Sequence, residues 1–308
     1  MSIKYAFLKK AARLLNFQKI MAQPYSKLQQ TFKTAAAVPK IPAMQDPELT
    51  VTTQTLCRQP VLFVRHKKPA QKVCVYVVGG GMLKYPKPSQ AKEQLTLAKL
   101  TGRDMVLPYY PLVPQHNLTD VYAMLYELYT TLLKTYKAEN IAFLGGSSGG
   151  NHTLGLISYI NAKGEGLPMP GKVYVSSPGT MLCSEEEKQK ASQLDKTDLI
   201  MSRRALETIF DGMAAGRAVP EYMHYLQKGD YNGLTDAYLS FGGDEVFSAA
   251  AESIRDRMEA CGVHVTLEIG QGLFHCYAAM PLVPEAKPGY ERMIAYLKVL
   301  NWSVKSRQ

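Results

Sequence analysis

A serine flanked by glycines is the first feature of the sequence that could do chemistry. The run Gly146, Ser147, Ser148, Gly149, Gly150 fits the pattern Gly-x-Ser-x-Gly with Ser148 at its centre. In that pattern the serine lies on a strained turn between a strand and a helix, which exposes its hydroxyl for nucleophilic attack. The flanks agree, because the β-rich run IAFL precedes the turn and the helical pattern HTLGLISYI follows it. Ser148 is therefore the predicted nucleophile, and Ser147 is a neighbouring hydroxyl outside the central position.

Of the six histidines in the chain, His275 is the best placed to act as the general base. It follows the strand and loop LEIGQGLF near the end of the sequence, in the chain order serine, acid, histidine. A base in this position removes the serine proton and later returns it to the leaving group. His152 lies on the helix after the serine and is interpreted as a packed or capping residue.

The acid that orients the histidine must lie at a strand end between the nucleophile and the base. The segment AYLSFGGDEVF offers two adjacent candidates, Asp244 and Glu245. Neighbours in sequence point in different directions, so only one of the two carboxylates can face His275.

Three consecutive glycines, Gly79–Gly81, follow the strand candidate VCVYV. They do not form a phosphate-binding loop of either common kind, because neither Gly-x-Gly-x-x-Gly nor a terminal Gly-Lys-Ser/Thr is present. Bare backbone after a strand can instead direct N–H groups at a developing oxyanion. The N–H groups of Gly80, Gly81 and Gly149 are the predicted donors of this oxyanion hole.

The elements that must position these residues alternate between strands and helices. Strand candidates rich in Val, Ile, Tyr and Leu alternate with amphipathic segments, which predicts a mostly parallel sheet covered by helices on both faces. Residues from about 183 to 229 break this alternation with helical, charged sequence, and we interpret them as an inserted lid. The predicted division is N-terminal cap helices and a connector (1–40), a core (41–183 and 229–308) and inserted cap helices (184–228).

The composition is that of an ordinary globular chain of 308 residues with a formal net charge of +10. No apolar run is long enough to span a membrane. The five cysteines are scattered, odd in number and without a CxxC pair, which favours reduced thiols and a cytoplasmic location and predicts no metal site.

Much of the positive charge lies in the N-terminal tract from Lys4 to Lys33, which contains no acidic residue. The favoured interpretation is an amphipathic helix whose apolar stripe packs on the rest of the protein. Contact with a membrane surface is the less favoured alternative. No recognised module accompanies the charge, so nucleic acid is not a predicted partner.

Taken together, these segments resemble the hormone-sensitive-lipase-like branch of the α/β-hydrolases, which includes bacterial acetyl-esterases and arylacetamide deacetylases. The resemblance runs from about residue 73 to the final helix. It covers the family's His-Gly-Gly-Gly, Tyr-Arg-Leu-Ala-Pro, Gly-Asp-Ser-Ala-Gly, Asp-x-Leu and Gly-x-x-His segments, which match, in that order, Val78–Gly81, Tyr110–Pro114, Gly146–Gly150, Glu245–Phe247 and Gly272–His275.

The resemblance implies an α/β-hydrolase fold with a helical cap, made from the N-terminal helices and the insertion. It favours Glu245 over Asp244 as the acid. Val78 stands where the family has a histidine that helps to anchor the glycine loop, Ser147 where it has an aspartate and Gly149 where it has an alanine.

The implied activity is hydrolysis of carboxylic esters of small or medium acyl groups through an acyl-serine, without metal or cofactor. The alternatives are an amidase or N-deacetylase with the same catalytic residues, and a ligand-binding receptor that has lost catalysis. The sequence predicts a small-molecule ester as partner and leaves the oligomeric state open, a homodimer included.

Overall fold

The computed structural model describes residues 1–34 and 38–298, so the predicted final helix to Trp302 lies partly outside the described residues. One eight-stranded sheet organises these residues, in the order β1-β2-β4-β3-β5-β6-β7-β8. The strands are β1 (Leu49–Leu56), β2 (Gln59–His66), β3 (Val73–Val77), β4 (Asp104–Pro108), β5 (Ile141–Gly146), β6 (Lys172–Ser176), β7 (Asp236–Gly242) and β8 (His264–Gly270).

The sheet is parallel from β4 through β3 to β8, and only β1 and β2 run antiparallel to their neighbours. The predicted mostly parallel sheet is therefore confirmed. The edge strand β1 was not expected from the sequence. Its residues are mostly exposed, and its run LTVTTQTL is rich in threonine, so it lacks the continuous apolar pattern of the buried strands.

Helices cover both faces of the sheet. Alternate side chains of β3 enter two different cores, with Val73 and Val75 in one and Cys74 and Tyr76 in the other. The helices are α1 (Ile3–Leu15), α2 (Phe17–Met21), α3 (Tyr25–Thr31), α4 (Pro88–Thr101), α5 (Leu118–Leu133), α6 (Ser148–Lys163), α7 (Glu185–Leu194), α8 (Arg203–Ala214), α9 (Glu221–His224), α10 (Ala251–Ala260) and α11 (Lys287–Lys298).

The parallel strands place the chemically interesting loops at one edge of the sheet. In a parallel sheet the carboxyl ends of all strands lie on the same side, and ligands bind in the crevice outside those ends. The glycine run follows β3, the serine pair follows β5, and the Asp244–Glu245 turn follows β7, while the His275 loop follows β8. The order β3-β5-β6-β7-β8 brings these loops together, although they are far apart in sequence.

The two segments predicted as a cap contact each other. The side-chain amide of Gln18 on α2 donates to the carbonyl oxygens of Asp195 and Met201, both at 2.8 Å. Gly212 on α8 lies so close to the Tyr25 ring of α3 that a Cβ there would overlap the ring.

Helix α1 packs with one face only. Tyr5 is buried against the core, whereas Ile3, Phe7 and Leu14 are 91%, 73% and 77% exposed. The expectation that an apolar stripe of this helix packs on the protein is correct for Tyr5 and Leu8, which lie against the same core. Ile3, Phe7 and Leu14 lie on the other, exposed face of the helix. In the described part of the chain, no helix has the length and apolar character needed to cross a membrane.

Candidate active site

The strained turn between β5 and α6 is centred on Ser147. This residue has φ 53° and ψ −127°, outside the regions that non-glycine residues normally occupy, whereas Ser148 is already the first residue of α6. The prediction that Ser148 occupies the strained turn is therefore wrong. Ser147 is also the more exposed of the two, since Ser148 is 4% exposed and Ser147 is half-buried.

The surrounding glycines explain why the turn has this register. A Cβ added at Gly145 would lie 2.6 Å from the carbonyl oxygen of Gly149, and one added at Gly149 would overlap the carbonyl oxygen of Val77. At Gly146 the nearest atom to such a Cβ is 3.6 Å away, which is ordinary contact. The positions two before and two after Ser147 therefore require glycine, as the Gly-x-Ser-x-Gly pattern demands.

His275 and Glu245 form a close, buried pair. The ring Nδ1 of His275 lies 2.5 Å from Oε2 of Glu245, and the Glu245 side chain is fully buried. Asp244 points elsewhere and pairs with Lys9 of α1 at 2.9 Å. Of the two carboxylates that the sequence offered, the structure brings Glu245 to the histidine.

The protonation of His275 depends on opposing influences. Burial disfavours its charged form, while the sulfur of Cys276 and the carboxylate of Glu245 favour that form and raise the pKa of His275 well above 6.5. With Nδ1 directed at Glu245, the other ring nitrogen, Nε2, is the one left for proton exchange with a substrate.

The glycine loop passes directly over the serine turn. A Cβ at Gly79 would lie 2.7 Å from the Cβ of Ser147. The N–H of Gly81 donates to Oγ of Ser148 at 2.8 Å, and the hydroxyl of Tyr110 donates to the carbonyl oxygen of Val78 at 2.7 Å. These two hydrogen bonds hold the glycine loop in place, although Val78 stands where the resembled family has an anchoring histidine.

A cavity of about 290 Å³ opens above the serine turn. Its floor is formed by the glycine loop, both serines and His275, and its walls are mostly apolar. The wall residues from the predicted cap segments are Met21, Phe32, Ile200, Met201, Ile209, Phe210 and Met213. Both predicted cap segments, 1–40 and 184–228, therefore contribute side chains to the wall of the cavity.

His152 lies outside this cavity and is fully buried beside the rings of Tyr110 and Tyr122, at centroid distances of 5.1 and 5.9 Å. Burial lowers the pKa of His152 to about 3, so it stays neutral and packs as an aromatic ring. Among the described residues, no group of three or more His, Cys, Asp or Glu side chains could hold a metal ion.

The sequence alone leaves the position of the strained turn open between two adjacent serines. Gly145, Gly146, Gly149 and Gly150 surround the serine pair symmetrically, so the Gly-x-Ser-x-Gly pattern fits both Ser147 and Ser148. The folded structure distinguishes the two registers, because a Cβ would overlap other atoms at Gly145 but has room at Gly146.

Comparison with known proteins agrees with this geometry. A family model described as the α/β-hydrolase fold matches residues 74–279. The chain belongs to the α/β-hydrolase fold family. The chain is also 25% identical over 200 residues to an esterase of Acinetobacter venetianus, a match that covers 62% of this chain and 63% of that esterase.

Solved structures share the whole architecture. The crystal structure of EstE5 soaked with p-nitrophenyl butyrate has a TM-score of 0.78 and 21% identity, and the alignment covers 97% of this chain and 98% of EstE5. An esterase from the bacterial hormone-sensitive lipase family has a TM-score of 0.72 and 19% identity, with 89% and 96% of the two chains covered. The predicted α/β-hydrolase fold is confirmed, and the chain shares this fold with an esterase of the hormone-sensitive lipase family.

Proposed function

We propose that this hydrolase is a serine carboxylesterase that cleaves esters of small or medium acyl groups through an acyl-Ser147 intermediate. The observation that carries the proposal is the strained turn at Ser147 beneath a cavity that is also lined by His275, itself paired with Glu245. Ser147 replaces Ser148 as the proposed nucleophile because its backbone has the conformation that exposes a side chain between strand and helix.

The proposed reaction has two halves. Nε2 of His275 takes the proton of Ser147 as Oγ attacks the ester carbonyl, and the resulting imidazolium then protonates the leaving alcohol. In the second half, His275 deprotonates a water molecule, which attacks the acyl group and releases the acid and free Ser147. Glu245 keeps the imidazole oriented and stabilises its charged form in both halves.

The oxyanion of each tetrahedral intermediate needs backbone donors next to Ser147. With Ser147 as nucleophile, the residue after it is Ser148, whose N–H belongs to the first turn of α6 and has no intrahelical acceptor. We assign the N–H groups of Ser148 and Gly80 to this role. Of the donors expected from the sequence, Gly81 instead donates to Oγ of Ser148, and Gly149 lies one residue too far along the helix.

The size of the substrate follows from the cavity. Sites for small molecules commonly measure about 300–1,000 Å³, so a cavity of about 290 Å³ suits a short acyl chain. Its apolar walls from residues 1–34 and 184–228 form the proposed cap and provide a surface for the hydrocarbon part of the ester. These dimensions support small or medium acyl groups rather than long fatty acids.

The test is a series of p-nitrophenyl esters from acetate to dodecanoate, run beside p-nitroacetanilide. We expect a maximum in kcat/KM at short or medium chains, little cleavage of the anilide, and loss of ester cleavage in Ser147→Ala. Faster cleavage of the anilide would make the enzyme an amidase. No turnover of any substrate by the folded wild-type protein would support a binding protein instead.

A further inference from the structure

Ser177 lies at the end of β6, on a loop that the proposed reaction does not use. The residue is fully buried, and its φ of 49° places a non-glycine residue in the left-handed region. Its backbone N–H donates to the carbonyl oxygen of Ser240 at 2.6 Å. A buried serine in this conformation needs surrounding contacts that maintain it.

The hydroxyl of Ser177 joins the two loops that carry Glu245 and His275. Its Oγ lies 2.6 Å from Oε1 of Glu245 and 2.8 Å from the backbone nitrogen of Cys276, the residue after His275. An amide N–H can only donate and an ionised carboxylate can only accept. The Ser177 hydroxyl therefore accepts from Cys276 and donates to Glu245, and its orientation is determined by both partners.

The Glu245 carboxylate is held on both oxygens. Oε1 accepts from the Ser177 hydroxyl and from the N–H of Gly242, each at 2.6 Å, while Oε2 faces Nδ1 of His275. Without the Ser177 hydroxyl, Oε1 would keep only the N–H of Gly242 as a partner. The hydrogen-bonded connection from the carboxylate to the backbone of Cys276 would also be lost. The carboxylate could then rotate away from the imidazole during the reaction.

We propose that Ser177 is a positioning residue of the active site, which fixes Glu245 relative to His275 through these two hydrogen bonds. The inference rests on the proposed function, because it gives Ser177 a purpose only if Glu245 and His275 act together on Ser147. Ser177 does not contact the substrate. It acts by keeping the acid and base in register while the imidazole gains and loses its proton.

The experiment compares three variants with the wild-type enzyme. Ser177→Ala removes the hydroxyl, and Ser177→Gly removes it while also suiting the left-handed backbone, so that a loss of activity is separated from a loss of folding. Ser176→Ala is the matched control, because Ser176 is an adjacent, fully buried serine whose hydroxyl has no hydrogen-bond partner in the described structure. The measurements are kcat and KM on p-nitrophenyl butyrate, the melting temperature, and the downfield proton resonance of the His275 Nδ1–H.

We expect kcat to fall by about 10–100-fold in both Ser177 variants, consistent with the loss of hydrogen bonds to a charged group. KM should stay within about twofold, and the downfield resonance should weaken or disappear, whereas Ser176→Ala should match the wild type in kcat, KM and the resonance. If Ser177→Gly kept wild-type kcat and resonance, the inference would be wrong. An equal loss of kcat in Ser176→Ala would also overturn it, since any change in this loop would then suffice.

Failure of the inference can be told apart from failure of the proposed function. If Ser147→Ala is inactive while both Ser177 variants retain full activity, only the role of Ser177 is rejected. If Ser147→Ala retains ester hydrolysis, the proposed function itself is rejected.

Discussion

At the level of single residues, the adjacent hydroxyls of Ser147 and Ser148 have different surroundings. Ser147 has the strained backbone and borders the cavity, whereas the hydroxyl of Ser148 accepts a hydrogen bond from Gly81. The first therefore suits attack on a substrate, and the second suits support of the glycine loop. The two serines are therefore expected to differ strongly in how much their substitution by alanine lowers kcat.

Ser147→Ala should lower kcat by a factor on the order of 10⁵–10⁶, as removal of the nucleophile does in serine hydrolases. Ser148→Ala should lower kcat by less than about tenfold, because it removes one hydrogen bond from the loop. Both rates are measured on p-nitrophenyl butyrate, with circular dichroism to show that each variant is folded. An active Ser147→Ala beside an inactive Ser148→Ala would restore Ser148 as the nucleophile.

The raised pKa of His275 predicts the pH dependence. The imidazole must be neutral to accept the Ser147 proton, so activity is lost as the pH falls through the pKa of His275. Because that pKa lies well above 6.5, the acidic limb of kcat/KM should have its midpoint above pH 6.5. A profile measured from pH 5 to 9 checks this, and a midpoint below 6.5 would contradict it.

The contacts of Asp244 and Glu245 predict a clear contrast. Glu245→Gln should lower kcat by a factor on the order of 10⁴, as loss of the orienting acid does in a serine triad. Asp244→Asn should leave kcat nearly unchanged, because it breaks a partly exposed ion pair with Lys9 that contributes at most about 1 kcal/mol. Steady-state kinetics and melting temperatures of both variants test the assignment, which a reversal of the two results would exclude.

At the level of elements, the proposed cap should set the acyl preference. Phe210 of α8 is buried and lines the cavity, and a Cβ added at Gly179, near the serine turn, would lie 3.3 Å from its ring. Since it comes from the insertion and not from the sheet, a change there should alter substrate choice without altering the chemistry.

Phe210→Leu should shift the preferred ester toward longer acyl chains. A methylene newly accommodated in an apolar pocket contributes about 0.8 kcal/mol, so the two methylenes that separate hexanoate from butyrate correspond to a gain in kcat/KM of up to roughly 15-fold. The matched control is Phe143→Leu, since Phe143 is buried in β5 and does not line the cavity. If the ratio of kcat/KM on hexanoate to kcat/KM on butyrate were unchanged in Phe210→Leu, or shifted equally in the control, the insertion would not contribute to the acyl-binding site.

At the level of the whole molecule, the cavity joins segments from distant parts of the chain. Met21 and Phe32 belong to the N-terminal helices, Ile209 to the insertion and His275 to the sheet core. A ligand that fills the cavity should therefore couple these parts and stabilise the folded state as a unit.

Covalent phosphonate inhibitors of different chain length test this coupling. The adduct of a phosphonate with a hexyl chain should melt at a higher temperature than the adduct of a phosphonate with a methyl group. The reason is that each additional buried methylene contributes about 0.8 kcal/mol. For a chain of 308 residues, about 1 kcal/mol corresponds to roughly 1.5 °C, because the entropy of unfolding is about 2.1 cal/mol/K per residue. Mass spectrometry should place one label on the peptide that contains Ser147. Equal melting temperatures for the two adducts would show that the chain does not enter the cavity.

The sequence by itself determined the fold class, the candidate base and the pair of candidate acids. These depend on local information, namely the apolar periodicity of strands and helices and the position of His275 and Glu245 after particular strands. Tertiary structure decided which acid meets His275, because the direction of a side chain at the end of β7 depends on the neighbouring strand and on the Lys9 contact of Asp244.

Only the tertiary structure also located the strained turn. The glycines around Ser147 and Ser148 satisfy one local pattern in two registers, so no property of that segment alone could choose between them. Ser147 is held at the turn by the segment of β6, because its N–H donates to the carbonyl oxygen of Ser176 and its own carbonyl oxygen accepts from the N–H of Gly179, each at 3.0 Å. The hydroxyl of Ser177 depends in the same way on loops after β7 and β8. Contacts between segments distant in sequence therefore determine the geometry of this site, and they exist only once the sheet has formed.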